Sequence, residues 1–209
     1  FCSMFETKGF SPQKIPGILI SVISIAVTYY DRKYFELIIF LAGFLISASE
    51  ILRKEKNPMN TLILIFGIFY ITFPFIILNA LADSEHGRVV INIFILIWTC
   101  DTAAYFGGRK FGKHQLSSIS PNKTWEGAAA GFVFTVIISL LIPFIFPDVL
   151  SLVDAVVMGL IIGIFSQAGD LFESLIKRYC GLKDSSDIIP GHGGFLDRFD
   201  SLIFVTPLI

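Results

Sequence analysis

Six apolar runs separated by short polar connections restrict this chain to very few folds. They lie at about Ile15 to Tyr30, Tyr34 to Leu52, Thr61 to Ala82, Val89 to Phe106, Ala128 to Phe146 and Ala155 to Ile176, and a seventh begins near Ser201. A helix needs roughly 20 mostly apolar residues to cross a bilayer. The runs are that long, and they lack the period-two alternation of a membrane barrel. The expected fold is all-α, a polytopic transmembrane helix bundle. Composition agrees, at 54% hydrophobic and 16% charged residues with a mean hydropathy of +0.75, far from the soluble norm. The first run begins Ile15-Pro16-Gly17 and is short, so its boundary is the least defined. The chain opens on Phe1, and its seventh run stops at Ile209 after about half a bilayer's worth of helix, so a longer natural chain is expected.

Orientation follows from the cations in successive connections, because Lys and Arg concentrate on the cytoplasmic side. Alternate connections share a side. One set holds Lys8 and Lys14, then Arg53, Lys54 and Lys56, then Arg109, Lys110, Lys113 and Lys123, then Lys177, Arg178, Lys183 and Arg198. The other set holds only Arg32, Lys33 and Arg88. Thirteen against three places the first set in the cytoplasm, with its two richest connections, 107–127 and 177–198, able to close over one polar cavity. The three cysteines, Cys2, Cys100 and Cys180, show no CxxC spacing and suggest neither a disulfide frame nor a zinc site.

The first rich connection grows out of the fourth run. Asp101 lies several residues inside that run, where an ionised carboxylate costs at least a few kcal/mol unless it meets a polar cavity, a cation or a metal; capping a helix or pairing with a loop Lys is the structural alternative. Gly107, Gly108 and Gly112 would let backbone approach a ligand, and Arg109, Lys110, Lys113 and Lys123 supply charge for phosphates. A basic loop held by anionic lipid headgroups is the competing reading. From Ser120 to Gly127 the sequence reads as a turn followed by a helix start, with the hydroxyls of Ser120 and Thr124 near a positive helix end and Glu126 in its first turn. Such an end suits an anion.

The glycine pairs Gly127/Gly131 and Gly159/Gly163 are spaced for close helix packing. After Phe165 the sixth run turns polar: Gln167, Asp170, Glu173, Ser174 and Lys177 fall within roughly 120° of one another around a helix. Asp170 is the deepest charge of that stripe, either a functional carboxylate facing the bundle interior or the partner of Lys177 or Arg178. Beyond it Pro190-Gly191-His192-Gly193-Gly194 makes a tight turn. His192 either holds that turn by hydrogen bonds or touches substrate. Asp197 and Asp200, three apart, point to one helix face. With Asp170 they form a plausible oxygen cage for Mg²⁺, an ion that keeps waters and substrate phosphates in its shell.

The stretch 174–200 resembles the signature of the phosphatidate cytidylyltransferases, also called CDP-diacylglycerol synthases. Ser174, Ile176, Lys177, Arg178, Lys183, Asp184, Pro190, His192, Gly193, Gly194, Asp197, Arg198 and Asp200 all fall in step with it. The resemblance extends to the second-loop segments beginning at Asp101 and Ser120, and more faintly to Met4 through Gly17; Ala103 and Asn122 depart from residues common there. It implies a reaction in which CTP and phosphatidic acid give CDP-diacylglycerol and pyrophosphate with Mg²⁺, at an active site facing the cytoplasm. Asp170, Asp197 and Asp200 would hold the metal, and Asp101 would complete or orient its shell. Lys177, Arg178, Lys183 and Arg198, with Arg109 and Lys123 opposite, would bind triphosphate or lipid phosphate. The chain then divides into amino-terminal transmembrane helices (1–106), a basic connection (107–127) and a catalytic region (128–209). A second, monovalent cation and a homodimer are further expectations, in a bilayer that would be the inner membrane of a bacterium; no nucleic acid is expected as partner. Two alternatives stand beside this: an ion-coupled transporter built on Asp101 and Asp170, and a CTP-dependent lipid kinase that would release CDP.

Overall fold

The apolar runs are helices in the computed structural model, which describes residues 1–30, 32–82, 87–188 and 193–209. In chain order they are α1 (Cys2–Glu6), α2 (Lys14–Tyr30), α3 (Phe35–Ile51), α4 (Pro58–Gly67), α5 (Phe73–Ala82), α6 (Arg88–Phe111), α7 (Trp125–Ile145), α8 (Leu152–Tyr179) and α9 (Leu196–Val205). Between α6 and α7 an antiparallel hairpin pairs β1 (Gln115–Ser117) with β2 (Ser120–Thr124). Four spans, Pro58–Ala82, α6, α7 and α8, are long and apolar enough to cross a membrane, while α2 and Leu37–Ile51 are shorter apolar helices. The fold is the all-α polytopic bundle that the runs require.

Local chemistry sets the helix ends. Asn57 caps α4, its side chain accepting from Met59 N at 3.0 Å, and Pro58 follows where no N–H is needed. Ser151 and Asp154 form a capping box at the start of α8. The span Pro58–Ala82 is interrupted by a π turn at Ile68–Thr72. Pro74 lacks the N–H that would bond the carbonyl of Tyr70, and widening the turn removes the clash between its ring and that carbonyl.

Small residues draw α6, α7 and α8 together, as their spacing predicts. A Cβ on Gly131 would lie 2.9 Å from Cys100 O of α6, one on Gly127 2.7 Å from Ala104 O, and one on Gly163 2.8 Å from the Phe132 ring of α7. Gly169 does the same for α9, where a Cβ would lie 2.9 Å from Asp200 O. That contact sets Asp200 within one turn of Asp170. Ile93, Leu96, Ile162 and Val205 are fully buried at the centre of the bundle.

One reading changes. Gly107 and Gly108 do not open a loop, because α6 runs on to Phe111. A Cβ on Gly107 would meet Ala130 Cβ at 2.4 Å, so this glycine serves the contact with α7 rather than a ligand.

The four connections counted together for their cations do gather at one end of the bundle. Thr7 Oγ1 donates to Cys180 O at 2.7 Å, Ser11 N to Asn60 Oδ1 at 2.8 Å, and Arg53 Nη1 to Ser11 O at 2.7 Å. The hairpin reaches α8 through an ion pair of Lys123 with Asp170.

Candidate active site

A cavity of about 920 Å³ opens where α6, the hairpin, α8 and α9 converge. α6 contributes Asp101 and Arg109, the hairpin Ser120, Lys123 and Thr124, α8 Asp170, and α9 Asp197, Arg198 and Asp200. Nine residues expected from the sequence thus share one wall system. Farther along α6 the lining is apolar, with Phe94, Ile97 and Trp98, while Phe199 and Leu202 add apolar surface from α9. Phe94 and Arg109 are fifteen residues apart on one helix, about 20 Å along its axis. The cavity therefore runs from a charged mouth to an apolar flank.

The hairpin is held in place from both sides. Glu126, in the first turn of α7, accepts from Lys113 N at 3.0 Å and His114 N at 3.2 Å, and its other oxygen lies 2.6 Å from His114 Nδ1. Thr124 caps α7 by accepting from Gly127 N at 3.1 Å. Lys123 is thereby aimed across the cavity at Asp170, which pairs with it rather than with Lys177 or Arg178. Ser174 Oγ also approaches Asp170 Oδ1, at 3.4 Å. Gln167, next on the polar stripe, is taken up by the backbone, donating to Ala128 O at 3.0 Å and Gly163 O at 3.2 Å.

The two aspartates of α9, outside the four spans, sit in opposite surroundings. Asp197 Oδ1 accepts from Lys177 Nζ at 2.5 Å, while Oδ2 accepts from Ser185 N at 2.8 Å, Ser185 Oγ at 2.5 Å and Gly194 N at 2.8 Å. Burial works to raise its pKa, but these hydrogen bonds outweigh it and hold the carboxyl at about 2. Asp200 has one bond of this kind, from its neighbour Ser201 N at 2.6 Å. Although part of its surface meets the cavity, burial and then the charge of Asp170 push its carboxyl up to about 7. Glycine makes the Asp197 arrangement possible: Gly193 adopts φ +77°, and a Cβ on Gly194 would lie 2.2 Å from Ser185 Oγ.

The remaining expected residues are not cavity walls. Lys177 is buried and lies between Glu173 Oε2, at 2.7 Å, and Asp197. Arg178 turns outward to donate to Leu182 O at 3.1 Å, and Lys183 is exposed and not among the lining residues. His192 lies outside the described residues. Glu173 is the residue sequence reasoning passed over: it was visible in the polar stripe, and its i,i+4 spacing to Lys177 is the signal that pairs them.

The donor set suits a hard cation. Among the described residues no three His, Cys, Asp or Glu side chains form a finished metal group, and the expected set of Asp170, Asp197 and Asp200 is no exception. Mg²⁺ takes only one or two carboxylates and completes its shell with phosphates and water. Asp101, Asp170 and Asp200 offer carboxylate oxygens to one cavity, where burial first and then the charge of Asp170 raise Asp200.

The profile of the Cytidylyltransferase family matches residues 1–209. A phosphatidate cytidylyltransferase of Staphylococcus saprophyticus is 35% identical over 204 residues, 93% of this chain and 78% of that protein. Those of Staphylococcus epidermidis and Staphylococcus aureus are 34% and 32% identical over 203 residues, with the same coverage. With a matching profile along its whole length and relatives this similar, the chain belongs to the cytidylyltransferase family.

Proposed function

We propose that this chain transfers CMP from CTP to phosphatidic acid, releasing pyrophosphate and leaving CDP-diacylglycerol in the bilayer. The observation that carries the reading is the two-ended cavity: cations and carboxylates at the mouth, aromatic and aliphatic side chains at the flank. A nucleotide needs the first and a diacyl lipid the second. A lipid phosphate oxygen forms a bond to the α-phosphorus as the bond from that phosphorus to the bridging oxygen breaks, and pyrophosphate leaves with the electron pair. No covalent enzyme intermediate is required. Two polyanions must be held together, so orientation and charge neutralisation supply most of the rate.

Arg109, Lys123 and Arg198 are the cations placed to bind phosphates, with the hydroxyls of Ser120 and Thr124 beside them. Lys123 would exchange Asp170 for a phosphate as substrate enters. Asp170 and Asp200, with Asp101 beside them, would hold Mg²⁺, and Asp197 joins them to the extent that it gives up bonds from its loop. The metal would neutralise phosphate charge and assist the leaving group; a monovalent cation has the same carboxylates available. The thirteen cations gathered at one end support a cytoplasmic mouth in a multi-pass arrangement.

The test is incubation of the purified full-length protein in detergent with α-³²P-labelled CTP, phosphatidic acid and Mg²⁺, following label into the lipid phase. Label is expected in lipid with wild type, and none with Asp200→Asn or without Mg²⁺. A folded wild type that binds CTP yet leaves the lipid unlabelled, or that releases CDP instead of pyrophosphate, overturns the reading.

A further inference from the structure

Glu173 lies at the far end of a chain of charges that reaches the cavity only through Asp197. It is fully buried, and only one of its oxygens, Oε2, is bonded, by Lys177 Nζ at 2.7 Å; the other, Oε1, is buried without a hydrogen-bond partner. A half-satisfied buried carboxylate is costly, and an apolar side chain among Tyr70, Phe172 and Ile176 would pack there at lower cost. Nor does Glu173 line the cavity, as Asp170, three residues earlier, does. What it holds is Lys177. The same ammonium donates to Asp197 Oδ1 at 2.5 Å, and the far oxygen of Asp197 gathers the amides of Ser185 and Gly194. Asp197 and Asp200 lie on one turn of α9, so whatever fixes the first orients the second.

We propose that Glu173 is a positioning residue that acts through Lys177 and Asp197 to clamp the α8–α9 connection and the first turn of α9, keeping Asp200 turned into the cavity toward Asp170. The carboxylate of Glu173 sets where the ammonium sits, the ammonium sets Asp197 Oδ1, and Asp197 Oδ2 closes the loop. This is the relation of an outer ligand that orients an inner one. Lys177 accordingly serves the loop rather than a phosphate. The kinetic part of the inference rests on the CMP-transfer reading; the structural part stands without it.

The experiment uses Glu173→Gln in the full-length protein, with hydrogen exchange over 183–195 measured without substrate and CMP transfer measured separately. Exchange of the Ser185 and Gly194 amides is expected to rise at least tenfold, with the α6 and α7 amides unchanged. The turnover number should fall ten- to a hundredfold, while KM for CTP and for phosphatidic acid stays within about threefold. A general loss of stability would raise exchange everywhere instead. If Glu173→Gln does not fold, Glu173→Gln/Lys177→Met removes both charges at similar volume and breaks the same clamp, so the same changes are expected. Wild-type exchange at Ser185 and Gly194 in a folded variant overturns the clamp, and an unchanged turnover number overturns its part in the reaction. A wild type that transfers no CMP defeats the functional reading alone, since exchange is read without substrate.

Discussion

Replacing Asp200 with Asn is expected to stabilise the metal-free protein while abolishing its activity. In the folded chain burial and the Asp170 charge hold this carboxyl at about 7, against an ordinary 3.8. The folded state therefore binds the proton more tightly than the unfolded chain. Stability from this group is fully present below about pH 4, is lost as pH rises toward 7, and is absent above. A gap of about three pH units, at about 1.4 kcal/mol each, makes about 4 kcal/mol. That figure is a ceiling, because the cavity admits water to part of the side chain. Asn keeps the shape and carries no charge, so at pH 8.5 it recovers much of this, with a ceiling on the rise in melting temperature of roughly 8–16 °C for a chain of this length. The assay is thermal unfolding in detergent with EDTA across pH 4.5 to 8.5. The variant should melt above wild type at pH 8.5, and the gap should close toward pH 4.5. Adding Mg²⁺ at pH 8.5 should raise the melting temperature of wild type only. A variant that melts at or below wild type at pH 8.5 in EDTA, or a gap indifferent to pH, would refute the reasoning.

Asp197→Asn should have the opposite sign. It removes the charge on which Lys177, Ser185 and Gly194 converge and leaves Lys177 paired with Glu173 alone, a loss of about 1.5–3 kcal/mol in the same melting assay. Lys123→Met should lower kcat/KM for CTP by roughly 10- to 100-fold, the worth of one charge-assisted phosphate contact, as read by lipid labelling at varied CTP. Gly131→Val places a branched side chain where even a Cβ lies 2.9 Å from Cys100 O and 3.2 Å from its sulfur. It should force α6 from α7 at a cost of about 1–3 kcal/mol or more, seen as a lower melting temperature with unchanged dependence on Mg²⁺.

What the sequence disclosed depended on how local the physics was. The helical character of the apolar runs and the close approach at Gly127, Gly131, Gly159 and Gly163 follow from bilayer thickness and from spacing along one helix, and the structure has both, although the third run is split in two and α6 continues past Phe106 to Phe111. Asp101 and Asp170 were legible as charges where charge is expensive, and Asp200 from its three-residue spacing to Asp197. The π turn was less visible, because Pro74 signals a lost hydrogen bond but not how the helix absorbs it. Pairings across elements were out of reach. Asp170 has Lys177 and Arg178 within two or three turns of its own helix, yet its partner is Lys123, delivered by a hairpin that Glu126 and Thr124 hold in place. Lys177, Arg178 and Lys183 share a short basic stretch, and composition alone assigns all three to phosphate; burial takes one into the loop and exposure removes the others from the cavity.

The paired aspartates of α9 show how one helical turn supplies two kinds of carboxylate. Both arise from an Asp-x-x-Asp spacing that aims them to one side, and nothing in that spacing distinguishes them. Their environments do: Asp197 receives a lysine, two amides and a hydroxyl and sits at about 2, while Asp200 faces Asp170 with one neighbouring amide and sits at about 7. Groups driven apart in this way divide the work of a site. The satisfied carboxylate gains less from a further cation and can anchor the loop; the unsatisfied one is relieved by any positive charge that enters. On the proposed reading, a cation entering the cavity would relieve the carboxylate that burial and Asp170 destabilise, so Mg²⁺ binding is expected to depend on the same residue whose removal should make the metal-free protein more stable.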